Sequence, residues 1–151
     1  MIKTDSKETM KSKYFTEHEL ELLEASFQNS FFYFLQAVDI LSLDALKQCE
    51  TMGNFNVAWE IQHDVCENAS ALLNWPISYL TDAEKGAVSQ VVEILGKLPE
   101  GALASNNNLA MNHPAWAELR IAAKQLQTQL AAAVRSNLEF FSKQAITVRS
   151  E

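Results

Sequence analysis

The feature that most constrains this chain is a stripe of apolar residues spaced three and four apart, which is the period of one helix face. The stripe follows Thr16-Glu-His-Glu19, which matches a capping box: a hydroxyl and a glutamate three residues later satisfy free backbone N–H groups. Together they predict a helix over 16–41. Its stripe consists of Leu20, Leu23, Phe27, Phe31, Phe34, Val38 and Leu41.

Helix start and stop signals predict four more helices. Ser42 is a candidate cap for a short second helix that Gly53 ends, and Asn54 or Asn56 for a third that ends before Pro76. A second capping box, Thr81-Asp-Ala-Glu84, begins the fourth, and the segment PEGALASNNN after it has the composition of a loop. The predicted helices are 43–52, about 56–74, 81–98 and 114–145.

The last of these helices has no breaker from Pro114 to about Ala145, which predicts a single helix roughly 48 Å long. Asn137 lies in its apolar seam. A polar residue there can fix the register of the packing, or the seam can drift and leave Asn137 at its edge; both interpretations stay open. The seam consists of Trp116, Leu119, Ala123, Leu126, Leu130, Ala133, Asn137 and Phe140.

Four long helices and one short helix with mostly short connections predict an all-α fold, an antiparallel helical bundle. Residues 14–151 are expected to form one domain, because 151 residues suit a single hydrophobic core. Residues 1–13 have almost no apolar content and are expected to be a flexible polar tail.

The net charge of −7 disfavours a nucleic-acid binder, which needs cations to displace phosphate counterions. No run of about 20 apolar residues occurs, so we expect no membrane span. The polar amino terminus lacks the apolar core of a secretory signal. Cys49 and Cys66 match no metal or redox spacing and are expected to be free thiols in a reducing cytoplasm.

The acidity is concentrated on two predicted helix stripes with i, i+4, i+7 spacing, which places like charges side by side. Such stripes can be a solvated face, or a docking surface whose field attracts a basic partner. The stripes are Glu17, Glu21 and Glu24 on the first helix, and Glu60, Asp64 and Glu67 on the third.

Phe32 and Tyr33 lie off the apolar stripe of the first helix. A helix that is apolar all round must be surrounded, so this helix is either central in the domain or meets another chain. If it meets another chain, Phe32 and Tyr33 are candidate partner-binding residues, and a homodimer is one such arrangement.

Glu60-Ile-Gln-His63 has the E-x-x-H step that di-iron helical bundles use, but such bundles need the step twice, and here it occurs once. We therefore assign no metal ligand, no cofactor and no catalytic residue. His113, just before Pro114, is expected to have a capping or loop role rather than a catalytic one. An internal small-molecule or metal site stays an alternative.

The segment AAAVRSNLEFFSKQA (131–145) resembles the amphipathic helices of phasins, which coat polyester storage granules. The resemblance covers about fifteen residues and implies an amphipathic coat protein; no residue is carried over from it. The function that the residues themselves favour is a cytoplasmic protein–protein interaction module, of adaptor or inhibitor type, that presents an acidic helical face to a basic partner.

Overall fold

The computed structural model describes residues 14–53 and 55–150, with side chains as far as residue 144. The expected tail over 1–13 lies outside these residues. Within them the chain is all-helical, as predicted, with seven α-helices and one 3₁₀ helix. The helices are α1 (Glu17–Ser42), α2 (Ala45–Met52), α3 (Val57–Leu73), α4 (Asp82–Gly96), the 3₁₀ helix η1 (Glu100–Leu103), α5 (Asn107–Met111), α6 (Pro114–Gln129) and α7 (Ala131–Ser150).

Both capping boxes are confirmed. The Thr16 hydroxyl accepts from Glu19 N at 3.1 Å, and Thr81 accepts in the same way from Glu84 N at 3.1 Å. Asn56, rather than Asn54, caps α3 by accepting from Trp59 N at 2.9 Å. Ser42 does not cap α2, because its hydroxyl donates to the Asp39 carbonyl in the last turn of α1.

Asp44 is the residue that caps α2; its carboxylate accepts from Lys47 N at 2.9 Å. The predicted loop after α4 is wrong in part, because it contains η1 and α5. Asn106 caps α5 by accepting from Leu109 N at 3.1 Å, so an asparagine that suggested a loop begins a helix here.

The single helix predicted over 114–145 is also wrong, because Leu130 (φ −91°, ψ 7°) separates α6 from α7. No Gly or Pro lies at this position. The interruption coincides with the start of α4, whose Thr81 and Ala83 line one surface depression with Gln129 and Ala132. The irregular residue thus lies at the level where α4 begins, and the bonds from Leu130 N to Leu126 O and from Val134 N to Leu130 O, both 2.9 Å, still join the two helices.

The body of the molecule is a ring of four helices: α1 adjoins α3 and α6, and α4 adjoins the same two. Neighbours run antiparallel. Phe27, early in α1, contacts Trp75 just after α3, with ring centroids 6.0 Å apart. Gln127 of α6 donates to Asp39 of α1 at 2.7 Å, and Asn137, ten residues later, donates to Gln28, eleven residues earlier in α1, so α6 and α7 run opposite to α1. The core inside the ring is closed, since Phe31, Phe34, Leu126 and others have no exposed surface.

The two ends of the ring differ. At one end, the α2 end, three short elements pack together: α2, η1 and α5. At the other end, which we call the Trp75 end, α3 ends and α4 begins. Here α1 extends beyond these two helices, as far as Glu17, and α7 also extends beyond the level of Trp75. Asn137 donates to Gln28, so α7 continues the antiparallel course of α6 along α1. Each helix within the described residues is too short or too polar to cross a lipid bilayer.

Candidate protein-interaction surface

The solvent side of α3 brings together an exposed tryptophan and acidic side chains. Trp59 is 53% exposed and stacks on the imidazole of His63, with ring centroids 4.5 Å apart and planes 13° apart. His63 Nε2 in turn lies 3.0 Å from Glu67 Oε1. Because these residues are four apart along one helix, they form a continuous ridge. We call Trp59, Glu60, His63, Asp64 and Glu67 the α3 face.

The α3 face lies opposite the buried side of the helix, which consists of Ile61, Val65 and Ala69 among others. Asp64 and Glu67 are exposed, and Glu60 is half-buried. The predicted solvent-facing placement of this acidic stripe is therefore what the structure has. Trp59 was not singled out in the sequence, although it precedes Glu60 directly.

The second acidic stripe is exposed too, but it lies at a different place along the bundle. It consists of Glu17, Glu21 and Glu24. Phe27 contacts Trp75, so Glu24 lies beyond the end of α3, whereas Asp64 lies nine residues inside it. At 1.5 Å per residue Glu24 and Asp64 are roughly 18 Å apart along the axis, and the nearest pair of the two stripes, Glu24 and Glu67, is roughly 14 Å apart, which exceeds the Debye length in physiological salt. The six carboxylates are thus two separate surfaces.

Exposed apolar side chains continue from the α3 face onto the α2 end. Leu46, Phe55 and Leu109 are 69%, 75% and 67% exposed. Asn107 holds this end together: its side chain accepts from Val57 N at 3.0 Å and donates to the Phe55 carbonyl at 2.7 Å. Sequence periodicity could not predict this grouping, because α5 is fifty residues from the start of α3.

Phe32 and Tyr33 are 42% and 59% exposed, so the interpretation of α1 as a helix surrounded within its own domain is wrong. Phe32 packs edge-on against Phe141 of α7, with ring centroids 5.9 Å apart. Tyr33 lies beside Phe32 at 5.7 Å. A contact of these two residues with another chain stays a prediction.

Asn137 is 2% exposed, so it lies within the apolar seam of the last helix rather than at the edge of that seam. Its amide donates to the Gln28 carbonyl at 2.9 Å and to Gln28 Oε1 at 2.7 Å. Gln28 is itself buried. A buried amide pair of this kind fixes how α7 sits along α1, because any shift would leave polar groups unpaired.

A second buried polar network was not foreseen. Gln48 of α2 has no exposed surface; its amide donates to the carbonyls of Ile40 and Leu41 at 3.1 and 3.0 Å. Its Oε1 accepts from Arg120 Nε and Nη2, and Nη2 also donates to the Met111 carbonyl at 2.6 Å. Burial lowers the pKa of the Arg120 guanidinium, and the negative charge of Asp44 acts in the opposite direction by raising that pKa. The network joins the end of α1 to α2, α5 and α6.

The remaining titratable groups are of interest as metal ligands, helix caps and thiols. No group of three His, Cys, Asp or Glu side chains in the described part of the chain could hold a metal ion, and His63 pairs with Glu67 rather than Glu60. His113 Nδ1 accepts from Ala115 N at 3.1 Å, which confirms its capping role. Cys49 and Cys66 are free thiols, and burial raises the pKa of Cys66.

Comparison of the chain with protein-family models, with curated proteins and with solved structures finds no significant match. Its function is therefore inferred from its own geometry.

Proposed function

We propose that the chain is a protein–protein interaction module that binds a basic partner on the α3 face. One observation supports this most: an exposed tryptophan, Trp59, held in a fixed orientation by His63 and bordered by Glu60, Asp64 and Glu67. Rigid aromatic side chains are the anchors on which interface energies concentrate, because they bury a large area at a low cost in conformational entropy.

The bordering carboxylates supply the other half of the recognition. Charges at the rim of an interface act mainly on the association rate and on the choice of partner. Phe55, Leu46 and Leu109 extend the apolar area toward the α2 end. The partner segment that fits has basic residues opposite Glu60 and Asp64, and an apolar group that covers Trp59.

The test is an affinity capture from an extract of the native host, followed by association kinetics with the captured protein. Trp59→Ser should accelerate dissociation at least tenfold. Glu60→Lys with Asp64→Lys should slow association several-fold, and salt should do the same to the wild type. The matched control changes two exposed acids on α6 and α7, Glu118→Lys with Glu139→Lys. Equal effects of the two double variants, or no effect of Trp59→Ser, would refute the proposal.

Charge reversal on the first stripe, Glu17→Lys with Glu21→Lys, distinguishes one docking surface from two. Glu17 and Glu21 lie about two Debye lengths or more along the axis from the acids of the α3 face, so a partner bound at that face should associate with this variant at nearly the wild-type rate. A partner that spans both stripes would be slowed equally by either reversal, and the acidic surface would then have to be redefined.

The proposal places the module in the cytoplasm, and the free thiols of Cys49 and Cys66 support a reducing compartment. The exposed side chains of Phe32 and Tyr33 favour a second copy of the chain as another partner.

The amphipathic-coat alternative has one supporting observation, since Leu138 of α7 is 63% exposed. A granule-bound fraction that sediments with polyester would favour this alternative over the α3 face.

A further inference from the structure

A histidine lies in the middle of the α3 face, between the exposed tryptophan and a carboxylate. The imidazole of His63 stacks on Trp59 with ring centroids 4.5 Å apart, and its Nε2 lies 3.0 Å from Glu67 Oε1. At ~100° per residue, His63 is about 160° around α3 from each of the buried residues Ile61 and Val65. Histidine is the side chain whose charge changes between about pH 5 and pH 8, so the centre of the α3 face can gain or lose a charge near neutral pH.

The charges that His63 meets on its own helix are all negative, since α3 carries no Lys or Arg. Glu67 is one turn further along, and Glu60 and Asp64 lie about 60° and 100° from His63 around the helix. Cys66, three residues after His63, is kept neutral in this pH range because burial raises the pKa of its thiol. A proton on His63 therefore places one positive charge among three carboxylates.

The elements packed against α3 are α1, α2, α4, α5 and η1, and they contact the buried side of that helix. Within the described residues, their charged groups nearest the level of His63 have partners elsewhere: Lys97 of α4 pairs with Glu93 at 2.9 Å, and Asp39 of α1 accepts from Gln127 of α6. The titratable groups that face His63 are therefore those of α3 itself. The other charged groups of these elements lie toward the ends of the ring: Glu17, His18, Glu19, Glu21, Glu24, Asp82, Glu84 and Lys85 at the Trp75 end, and Asp44, Lys47, Glu50 and Glu100 at the α2 end.

Protonation of His63 changes the α3 face in two ways. The imidazolium forms an ion pair with Glu67 and a cation–π contact with Trp59, and both contacts hold the positive charge in place. The same charge offsets one of the three negative charges that border Trp59. A basic side chain that approaches Trp59 then meets a weaker attraction and a like charge one helical turn away.

We propose that His63 is a proton switch on the α3 face: its neutral form favours the binding of a basic partner at Trp59, and its protonated form weakens that binding. This inference rests on the proposed function, because it concerns the regulation of the same surface. The coupling is reciprocal, so a basic partner bound at the α3 face disfavours the protonated form of His63 in turn. Binding should therefore weaken as pH falls through the titration of His63.

The first experiment follows the full chain alone by NMR from pH 5.5 to pH 8. The indole N–H resonance of Trp59, assigned with a Trp59→Phe variant, should shift with the same midpoint as the imidazole of His63, because the two rings are stacked. His63→Gln should abolish this shift. The matched control, His18→Gln, removes an exposed histidine that also lies between acids, Glu17 and Glu19, and should leave the shift of Trp59 unchanged.

The second experiment measures the affinity of the full chain for a defined basic probe, N-acetyl-tetralysine amide, at pH 7.5 and pH 5.5. The ammonium groups of the probe stay charged throughout this range. The wild type should bind it roughly two- to fivefold more weakly at pH 5.5, which is the effect of one exposed charge. His63→Gln should keep the affinity of pH 7.5 at both values, and His63→Lys, with its permanent charge, should show the weaker affinity at both.

The outcomes separate the switch from the surface. Probe binding that is weakened by Trp59→Ser but is equal at the two pH values would refute the switch alone, as would a pH dependence that survives His63→Gln. A Trp59 resonance that does not follow the titration of His63 would refute it too. Probe binding at pH 7.5 that is absent, or that is insensitive to Trp59→Ser, would refute the proposed surface and the switch together.

Discussion

Replacing Gln48 by methionine, which is nearly isosteric, should cost the fold about 3–5 kcal/mol out of the 5–15 kcal/mol typical of a domain. The substitution keeps the volume of the side chain but removes four hydrogen bonds. Ile40 O keeps a partner, because it also accepts from Leu43 N at 3.1 Å. Leu41 O loses the amide of Gln48 as a donor, and the Arg120 guanidinium loses Gln48 Oε1 as an acceptor. These unpaired groups account for the expected loss in the free energy of unfolding.

The two losses differ in size. A buried carbonyl left unpaired costs about 1–3 kcal/mol, and a hydrogen bond to a charged group is worth about 1.5–3 kcal/mol. Arg120 keeps its bond to the Met111 carbonyl and is only half-buried, so water offsets part of its loss. For a chain of this length the expected fall in Tm is roughly 10 °C.

A double-mutant cycle in urea at pH 7 separates the network from general damage to the core. Arg120→Met alone leaves Gln48 Oε1 unpaired, while Gln48→Met with Arg120→Met removes both partners at once. The double variant should therefore be at least 1 kcal/mol more stable than the sum of the two single losses predicts. Additive losses, or a cost below about 1 kcal/mol for Gln48→Met, would show that Gln48 and Arg120 are not energetically coupled.

Three further predictions follow from the same reasoning. Asn137→Leu should cost about 1–3 kcal/mol by leaving the buried Gln28 amide unpaired, and Gln28→Leu in addition should recover part of it in urea melts. The pKa of Tyr79 is raised above 10.0, mainly by burial and further by the negative charge of Glu24. The contribution of this group to the free energy of unfolding is therefore fully present below pH 10 and is lost as pH rises through the folded pKa. Glu24→Gln should lower that pKa but leave it above 10.0, as measured by absorbance in a Tyr14→Phe, Tyr33→Phe background. A chain that begins at Tyr14 should keep its Tm within about 2–3 °C, since residues 1–13 offer almost no apolar surface; a larger fall in calorimetry would refute this.

Local signals in the sequence were sufficient for α1, α3 and α4, but they did not indicate the interruption at Leu130 between α6 and α7. The capping boxes at Thr16 and Thr81 and the apolar periods need only neighbouring residues, and these predictions held. The short helices η1 and α5 were missed because contacts from far along the chain hold them. Trp116 Nε1 donates to the Ala102 carbonyl of η1 at 2.8 Å, and Asn107 of α5 bonds to the backbone of Phe55 and Val57.

The candidate surfaces were predictable to a different degree. Helix periodicity placed Glu60, Asp64 and Glu67 on a solvated face, because facing away from a core is a property of one helix. It could not show that the stripe of Glu17, Glu21 and Glu24 lies at another level, because that depends on where α3 ends relative to α1.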